Sequence, residues 1–168
     1  MKRITAYLLA LILCGAAFAG CEANRYVVVY HGSRDSDEEY ENRQPAILTS
    51  AKEASDFYYE NQSIFITGYD GRGGNHKYNE TLISEEYNDS FFESRNLLFI
   101  PTTAGSGSSK DSIQDIYLSD TALIVEILRV RPELGTDDMA YRYFIVSLDK
   151  ALYSDTIGIN ITHRSKIF

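Results

Sequence analysis

The sequence predicts an α+β fold that is mainly β. We expect an antiparallel meander sheet, folded as a sandwich or an open barrel, with two short helices in the N-terminal half. Six or seven segments are rich in the β-branched and aromatic residues that strands favour. The last of them, residues 156–162, alternates isoleucine with glycine, asparagine and threonine, which is typical of a half-buried strand. Helix-capping signals occur at two places, both before residue 96.

The N-terminal half is predicted to mix strands and helices. Ser50 and Glu53 have the spacing of a capping box, so a helix should run from there to about residue 59. Asn88 is expected to cap a second helix over residues 88–95. Strands are predicted over residues 25–30 and 63–69, and a charged loop is predicted over residues 32–43.

The C-terminal half is predicted to be a meander. Turns are expected at residues 105–108 and 119–120, and a loop at residues 133–138 after Pro132, which ends a strand ladder or marks an edge strand. The strands that these segments join are expected at residues 96–103, 112–118, 123–130 and 141–148. Five apolar side chains should lie together in a sheet-based core: Ile124, Phe144, Val146, Ile159 and Ile161.

The first 20 residues have the order of an export signal. Lys2 and Arg3 precede a short apolar run, residues 6–13, and small residues follow up to Cys21. The run is shorter than the roughly 20 residues that a transmembrane helix needs. The sequence therefore predicts a signal peptide over residues 1–20 and a single mature domain over residues 21–168.

Cys21 is the predicted site of lipid attachment. The four residues Phe18, Ala19, Gly20 and Cys21 resemble the bacterial lipobox, in which a hydrophobic and two small residues precede the cysteine that receives diacylglycerol. Because Cys14 lies inside the signal, Cys21 would be the one cysteine of the mature chain and could form no intrachain disulfide. We expect an exported protein, anchored through acylated Cys21 to the bacterial membrane and facing outside the cytoplasm. The alternative is an ordinary signal peptide followed by a spare thiol.

The charge of the chain argues against two kinds of partner. Removing Lys2 and Arg3 from the 16 basic residues leaves 14 against 24 acidic residues, a formal net charge of −10. Such a chain repels phosphate backbones, so nucleic acid is not an expected partner. The same charge opposes docking of the protein surface onto anionic lipid, so a membrane contact is expected to be covalent.

The sequence gives no pattern for catalysis, cofactor binding or metal binding, and we expect the domain not to be an enzyme. A nucleophile elbow and a phosphate-binding loop are both missing from the sequence. The acidic run at residues 35–39 lacks the glycine and glutamate of a calcium loop. His31, His76 and His163 are far apart in the chain and lack the short, paired spacing that is typical of zinc ligands.

Glu126 is a carboxylate inside the most apolar predicted strand. It must face solvent or find a partner, because an isolated buried charge is costly. Arg129 and Arg142 are the candidate partners, and a structural ion pair is favoured over a catalytic acid.

Two turns are candidates for binding a partner, because both follow apolar strands that would hold them rigidly. Their residues are Gly105, Ser106, Gly107 and Ser108 in the first, and Pro132, Gly135, Asp137 and Asp138 in the second. The side chains of Ser106, Asp137 and Asp138 are expected to point to solvent. The competing interpretation is that the glycines serve only turns that need positive φ.

Residues 91–152 resemble the C-terminal domain of the protease complex subunit PrcB family of lipoproteins. The matching pieces occur in order: the strand at residues 97–100, the turn at 105–108, Arg131 with Pro132, residues 135–140, and the strand at 143–150. The resemblance implies a non-catalytic, β-rich accessory domain that binds or stabilises a secreted protease.

Two readings therefore compete. The first is a lipid-anchored, non-catalytic interaction domain at the cell surface, serving a secreted protease complex as an accessory subunit. The alternative is a protease inhibitor or a ligand-binding envelope lipoprotein. Residues 101–103, 71–74 and 131–132 have features of chagasin-type inhibitor loops, but they come in a different order.

Overall fold

The computed structural model describes residues 25–34, 43–67, 77–136, 138–153 and 157–168. Several of the sequence predictions concern segments outside these residues. They are the signal peptide, Cys21, the acidic run at 35–39, the inhibitor-like segment at 71–74, His76 and Asp137.

The described residues form nine strands and two α-helices. The strands are β1 (Tyr26–Arg34), β2 (Ala46–Leu48), β3 (Ile66–Thr67), β4 (Lys77–Tyr78), β5 (Arg95–Ala104), β6 (Lys110–Leu118), β7 (Ala122–Arg131), β8 (Ala140–Asp149) and β9 (Gly158–Ile167). The helices are α1 (Ala51–Glu60) and α2 (Asp89–Phe92). Short 3₁₀ turns occupy Gln62–Phe65, Thr81–Ile83 and Lys150–Leu152. The predicted class, α+β and mainly β with two helices in the N-terminal half, is confirmed.

The strands form two main sheets. The first sheet has the order β1-β8-β5-β2 and is antiparallel throughout. The second has the order β6-β7-β9, in which β9 runs parallel to β7. Strands β3 and β4 make a separate small hairpin. The sheets are not closed into a barrel; they pack as a sandwich, because side chains from both line one apolar cluster.

The strand order departs from a simple meander, because three connections cross between the sheets, and the last of them leads from β8 to β9. Residues 105–109 carry the chain from β5 in the first sheet to β6 in the second, and residues 132–139 carry it back to β8. Strand β5 pairs with β8 on one edge and, at residues 97–99, with β2 on the other. The connections at residues 105–109 and 132–139 lie at the same end of the sandwich, because Ala104 pairs with Ala140 and Lys110 with Val130.

The first sheet buries both of its faces. Leu97 and Phe99 face α1 and the segment after it, in a cluster with Tyr58 and Phe65. The alternate residues of β5 and β8 face the second sheet, where they meet apolar side chains of β6 and β7. This second cluster consists of Leu98, Ile100, Ile116, Leu123, Val125, Ile127, Phe144, Val146, Leu148 and Leu152. The molecule is thus a three-layer arrangement of helix, sheet and sheet.

The helix starts agree with the sequence predictions, with one difference. Ser50 caps α1, and its Oγ accepts a hydrogen bond from the Glu53 N–H at 3.2 Å. The Glu53 carboxylate accepts from the Thr49 N–H at 2.7 Å, one residue earlier than a capping box requires. Asn88 caps α2, which ends at Phe92 and is shorter than expected.

Two predicted boundaries in the N-terminal half are wrong. Strand β1 continues through residues 32–34, which were expected to be loop, because β8 is long enough to pair with them. Gly32 lies against the ring of Tyr143, where a β-carbon would come within 2.5 Å of Cζ. Of the strand expected at residues 63–69, residues 63–65 lie in a 3₁₀ turn that buries Ile64 and Phe65, residues 66–67 form β3, and residues 68–69 lie outside the described residues.

The predicted core residues are buried to different extents. Phe144 and Val146 are fully buried, whereas Ile159 and Ile161 are half-buried and pack against the same cluster. Ile124 is also half-buried, because the odd-numbered positions of β7 are the ones that face inward. The inward positions are Leu123, Val125, Ile127 and Arg129.

Candidate functional site

The two predicted partner-binding turns lie side by side. Ser108 and Thr136 are joined by two hydrogen bonds. The Ser108 N–H donates to Thr136 Oγ1 at 3.3 Å, and the Thr136 N–H donates to Ser108 Oγ at 3.1 Å. The hydroxyls of Ser106 and Thr136 are 3.2 Å apart. The Gly107 N–H donates to Oδ1 of Asp138 at 3.0 Å. We call residues 105–108, 132–136 and 138 the paired-loop surface.

Two glycines of the paired-loop surface, Gly107 and Gly135, lie where the two loops approach each other closely. None of Gly105, Gly107 and Gly135 has φ in the left-handed region, so that competing interpretation is wrong for all three. A β-carbon on Gly107 would collide with the Asp138 carboxylate, and one on Gly135 would lie 2.8 Å from Ser106 Oγ. Gly105 has open space around it. A side chain at Gly107 or Gly135 would therefore displace the Asp138 carboxylate or the Ser106 hydroxyl, both of which join the loops.

The side chains of Ser106 and Asp138 were expected to point to solvent, but both also contact the neighbouring loop. Ser106 is half-buried and Asp138 is exposed, yet both side chains bridge the two loops. Hydrogen bonds from Thr136 and from the Gly107 N–H hold the pKa of the Asp138 carboxyl below its usual value. Replacing either residue therefore changes the contact between the loops as well as the exposed surface.

A buried ionic cluster lies directly beneath the Ser106–Ser109 turn. Arg129 holds Asp111 through two parallel hydrogen bonds of 2.8 Å, from Nε to Oδ1 and from Nη2 to Oδ2. Nη2 of Arg129 also donates to Thr102 Oγ1 at 2.9 Å. Arg142 approaches the same carboxylate, with 3.6 Å between Nη1 and Oδ2. The cluster therefore brings together β5, β6, β7 and β8 at the end where the chain changes sheets.

Arg142 connects this ionic cluster to the paired-loop surface. Its Nη2 donates to the backbone carbonyl of Gly107 at 2.9 Å. The peptide groups at Gly107 are thus held on both sides, since its N–H bonds Asp138 and its C=O bonds Arg142. The turn is fixed from above by a neighbouring loop and from below by a buried guanidinium.

The charges in the cluster determine the pKa of Asp111. Burial alone raises the pKa of this carboxyl, but the hydrogen bonds and charge of Arg129, together with Arg142 and His163, outweigh burial and lower it. His31 and His163 flank the cluster, and their pKa values are lowered first by burial and then by the nearby arginines. The His31 ring stacks on Phe144 with 4.4 Å between centroids.

The partner predicted for Glu126 is wrong. Glu126 pairs with Arg164 of β9 at 3.1 Å and accepts a hydrogen bond from Tyr117 Oη at 3.2 Å, on the outer side of the second sheet. The arginines that were expected to neutralise it face inward and hold Asp111. The inward direction of Arg129 could have been inferred from the sequence, because side chains alternate along a strand and Arg129 lies two residues after the inward-facing Ile127.

Residues 101–103 do not form an inhibitor-like loop. They lie inside β5, paired with residues 141–143 of β8, and Thr102 is buried against Arg129. Pro132 stands where expected, immediately after the last residue of β7. Cys21 and Asp137 lie outside the described residues, so the lipidation site and the second aspartate of the loop stay predictions.

A separate groove of about 650 Å³ opens on the side of the molecule away from the second sheet. It is lined by Tyr30, Tyr78, Asn79, Glu80, Thr81, Ile83, Ser84 and Glu85. Asn79 donates to the buried hydroxyl of Tyr143 at 3.2 Å and accepts from Thr81, so its amide is engaged in the fold. The groove is formed mainly by residues 78–85 and does not touch the paired-loop surface.

Within the part of the chain that the structure describes, no group of three or more His, Cys, Asp or Glu residues is placed to hold a metal ion. None of the described helices has the length and apolarity needed to cross a membrane. Comparison of the chain with models of known protein families, with curated proteins and with solved structures finds no match.

Proposed function

We propose that this protein is a lipid-anchored, non-catalytic interaction domain at the bacterial cell surface, and that it binds a protein partner through the paired-loop surface. One observation carries the proposal: two loops that are 28 to 31 residues apart in sequence are joined by direct hydrogen bonds into one surface. Recognition loops bind well when a rigid scaffold holds them in a fixed arrangement.

The support under these loops favours binding over a purely structural turn. A tight turn between two strands needs no buried ions beneath it, and burying charges carries a desolvation cost. Here Asp111, Arg129 and Arg142 are all buried, and Arg142 bonds the turn itself. Such an arrangement fixes the position of a backbone carbonyl, which is what a preorganised binding surface requires.

The position of the anchor is consistent with this use. Arg25 accepts a hydrogen bond from Asp149 N–H at 2.8 Å, at the end of β8 opposite to the paired-loop surface. With 10 residues in β8, the two ends are separated by about 33 Å at roughly 3.3 Å per residue. A Cys21 anchor, four residues before Arg25, could reach no more than about 14 Å from it. The loops would therefore face away from the bilayer.

A secreted protease is the partner that we propose, with this chain as its accessory subunit. The proposal rests on the resemblance of residues 91–152 to the PrcB C-terminal domain. That segment contains both loops and all three charged residues of the ionic cluster. In this role the domain would bind or stabilise the enzyme and would itself perform no chemistry.

Site-specific photo-crosslinking tests the proposal. A photoreactive amino acid is placed at Glu133, which is exposed in the paired-loop surface, or at Tyr59 as a control, which is exposed on α1. We expect an adduct at position 133 in intact cells of the source bacterium, which mass spectrometry identifies as a secreted protease. The purified protease should bind the purified domain. Adducts at position 59 alone would contradict the proposal by moving the interface to the helical side.

The anchor is tested separately by Cys21→Ser. Acyl chains contribute about 0.8 kcal/mol of membrane affinity per buried CH₂. We therefore expect the variant to move from the membrane fraction to the soluble fraction. Unchanged fractionation would refute lipid attachment at Cys21 and would leave the crosslinking result unaffected.

A further inference from the structure

The most exposed large apolar side chains of the described residues cluster at one end of the molecule. Leu134 is 91% exposed, Phe168 70% and Ile167 69%. All three lie at the end that carries the paired-loop surface. Single exposed apolar residues are common, but several together at one end of a soluble domain indicate an interaction site.

The pairing of β9 with β7 brings these residues to the same place. The two strands run parallel, so both finish at the loop end, where Ile167 lies opposite Arg131. The Phe168 N–H donates to the Arg131 carbonyl at 3.2 Å. Leu134 follows Arg131 by three residues in the loop that leaves β7. Segments that are more than 30 residues apart in the chain thus contribute apolar groups to one edge of the paired-loop surface.

Leu134 is held in place although its side chain is free of contacts with a core. Pro132, with its fixed φ, precedes it by two residues. Gly135 packs against Ser106 on the other side, and Thr136 is hydrogen-bonded to Ser108. A side chain on a fixed loop loses little conformational entropy on binding, so more of its burial contributes to affinity.

We propose that Leu134 is the apolar anchor of the paired-loop surface and enters an apolar pocket on a protein partner, with Ile167 and Phe168 packing around that pocket. This inference rests on the proposed function and identifies the chemistry by which the partner is recognised. A pocket large enough for a leucine side chain, bordered by further apolar surface, is the feature that the partner must provide. The hydroxyls of Ser106, Ser108 and Thr136 then form the polar rim.

A heterologous protein fits this surface better than a second copy or a bilayer. Without the predicted signal peptide the chain has 14 basic and 24 acidic residues, a formal net charge of −10, so two copies repel each other, and an anionic bilayer repels each copy. The first described residue, Arg25, lies at the opposite end, so an anchored molecule would present Leu134 away from its own membrane. Those two occupants are therefore outcomes of the test and not part of the proposal.

The test compares Leu134→Ser with two matched variants. Leu134→Met keeps an apolar side chain of similar volume, and Leu118→Ser removes a leucine that is 43% exposed at the opposite end of the second sheet. The probe is the purified protein that crosslinks to position 133. We expect Leu134→Ser to weaken its binding by about 10- to 100-fold, as loss of a hot-spot residue does. Leu134→Met and Leu118→Ser should stay within about threefold.

The outcomes separate the anchor from the proposed function. If the adduct at position 133 persists and Leu134→Ser binds within about threefold of the wild type, the anchor is wrong and the interaction surface stands. If no adduct forms at position 133, the proposed function and the anchor both fail. If analytical sedimentation detects dimers and Leu134→Ser abolishes them, a second copy of the chain is the partner that covers this surface. Flotation of the soluble Cys21→Ser protein with phosphatidylglycerol vesicles, lost in the same background on Leu134→Ser, would show a bilayer. Either result overturns the proposal.

Discussion

The two faces of the first sheet solve the same burial problem in different ways. On the helix side, aromatic rings fill the space: Phe57, Phe65, Phe99 and Tyr143 pack against each other with centroids 5.0 to 6.3 Å apart. On the side facing the second sheet, the residues are mainly aliphatic. Among the residues that the structure describes, buried charges occur on the second side alone, at its end.

This difference indicates what each face does. Ring packing excludes water and tolerates small adjustments, because dispersion and the hydrophobic effect have little directionality. Hydrogen bonds from a guanidinium are directional and fix one backbone carbonyl in one position. We infer that the aromatic face supplies stability, whereas the Asp111 cluster at the end of the other face fixes the geometry of the loops.

The largest effect is expected from Asp111→Ala. The substitution leaves the guanidinium groups of Arg129 and Arg142 buried beside a lost counter-charge. Breaking a buried pair on one side costs about 3–5 kcal/mol of unfolding free energy. Chemical denaturation should show this loss as a lowered midpoint, together with faster amide exchange at Gly107.

Glu126→Ala is the matched control for Asp111→Ala. Glu126 is also paired with an arginine, but Arg164 lies mostly in solvent on the outer side of the second sheet. Exposed pairs contribute about 0–1 kcal/mol. Equal losses for Asp111→Ala and Glu126→Ala would mean that the buried cluster has no special weight in the fold.

A smaller change in the free energy of unfolding is expected when the pH is lowered. The pKa of Asp111 is lowered in the folded state, while the unfolded value is about 3.9. The carboxylate therefore contributes stability that is present above about pH 4 and is lost as the pH falls through the folded pKa. The difference in unfolding free energy between wild type and Asp111→Asn should shrink below about pH 4. A difference that widens on acidification would show that the sign is wrong.

The sequence allowed much of the fold to be predicted, because that part depends on local signals. The caps at Ser50 and Asn88, and the alternation along β7, are written in neighbouring residues. The strand order was not accessible in the same way. Strand β5 pairs with β2 and β8 and not with the next strand, β6, and such pairing depends on segments that lie far apart in the chain.

The site was predictable in part for the same reason. Both loops could be identified from their composition and their position after apolar strands, and the structure places them together. Asp111 was missed, since an aspartate near a turn is ordinarily a surface residue. Its burial follows from two arginines on other strands, and one of those strands, β8, begins 29 residues later in the chain. Such a partnership appears only once the strands are arranged in space.

The smallest and most local effect is expected from Asp138, the residue that bridges the loops from the solvent side. In Asp138→Ala the Gly107 N–H loses its acceptor, while Arg142 still holds the Gly107 carbonyl from below. We expect amide exchange at Gly107 to become faster by about tenfold, as for the loss of one exposed hydrogen bond, with the global denaturation midpoint nearly unchanged. Asp138→Asn keeps an oxygen acceptor at Oδ1 and should retain most of the protection. If Asp138→Ala lowered the midpoint as far as Asp111→Ala does, the two residues would belong to one cooperative unit. The division between a core that stabilises the fold and a cluster that positions the loops would then be wrong.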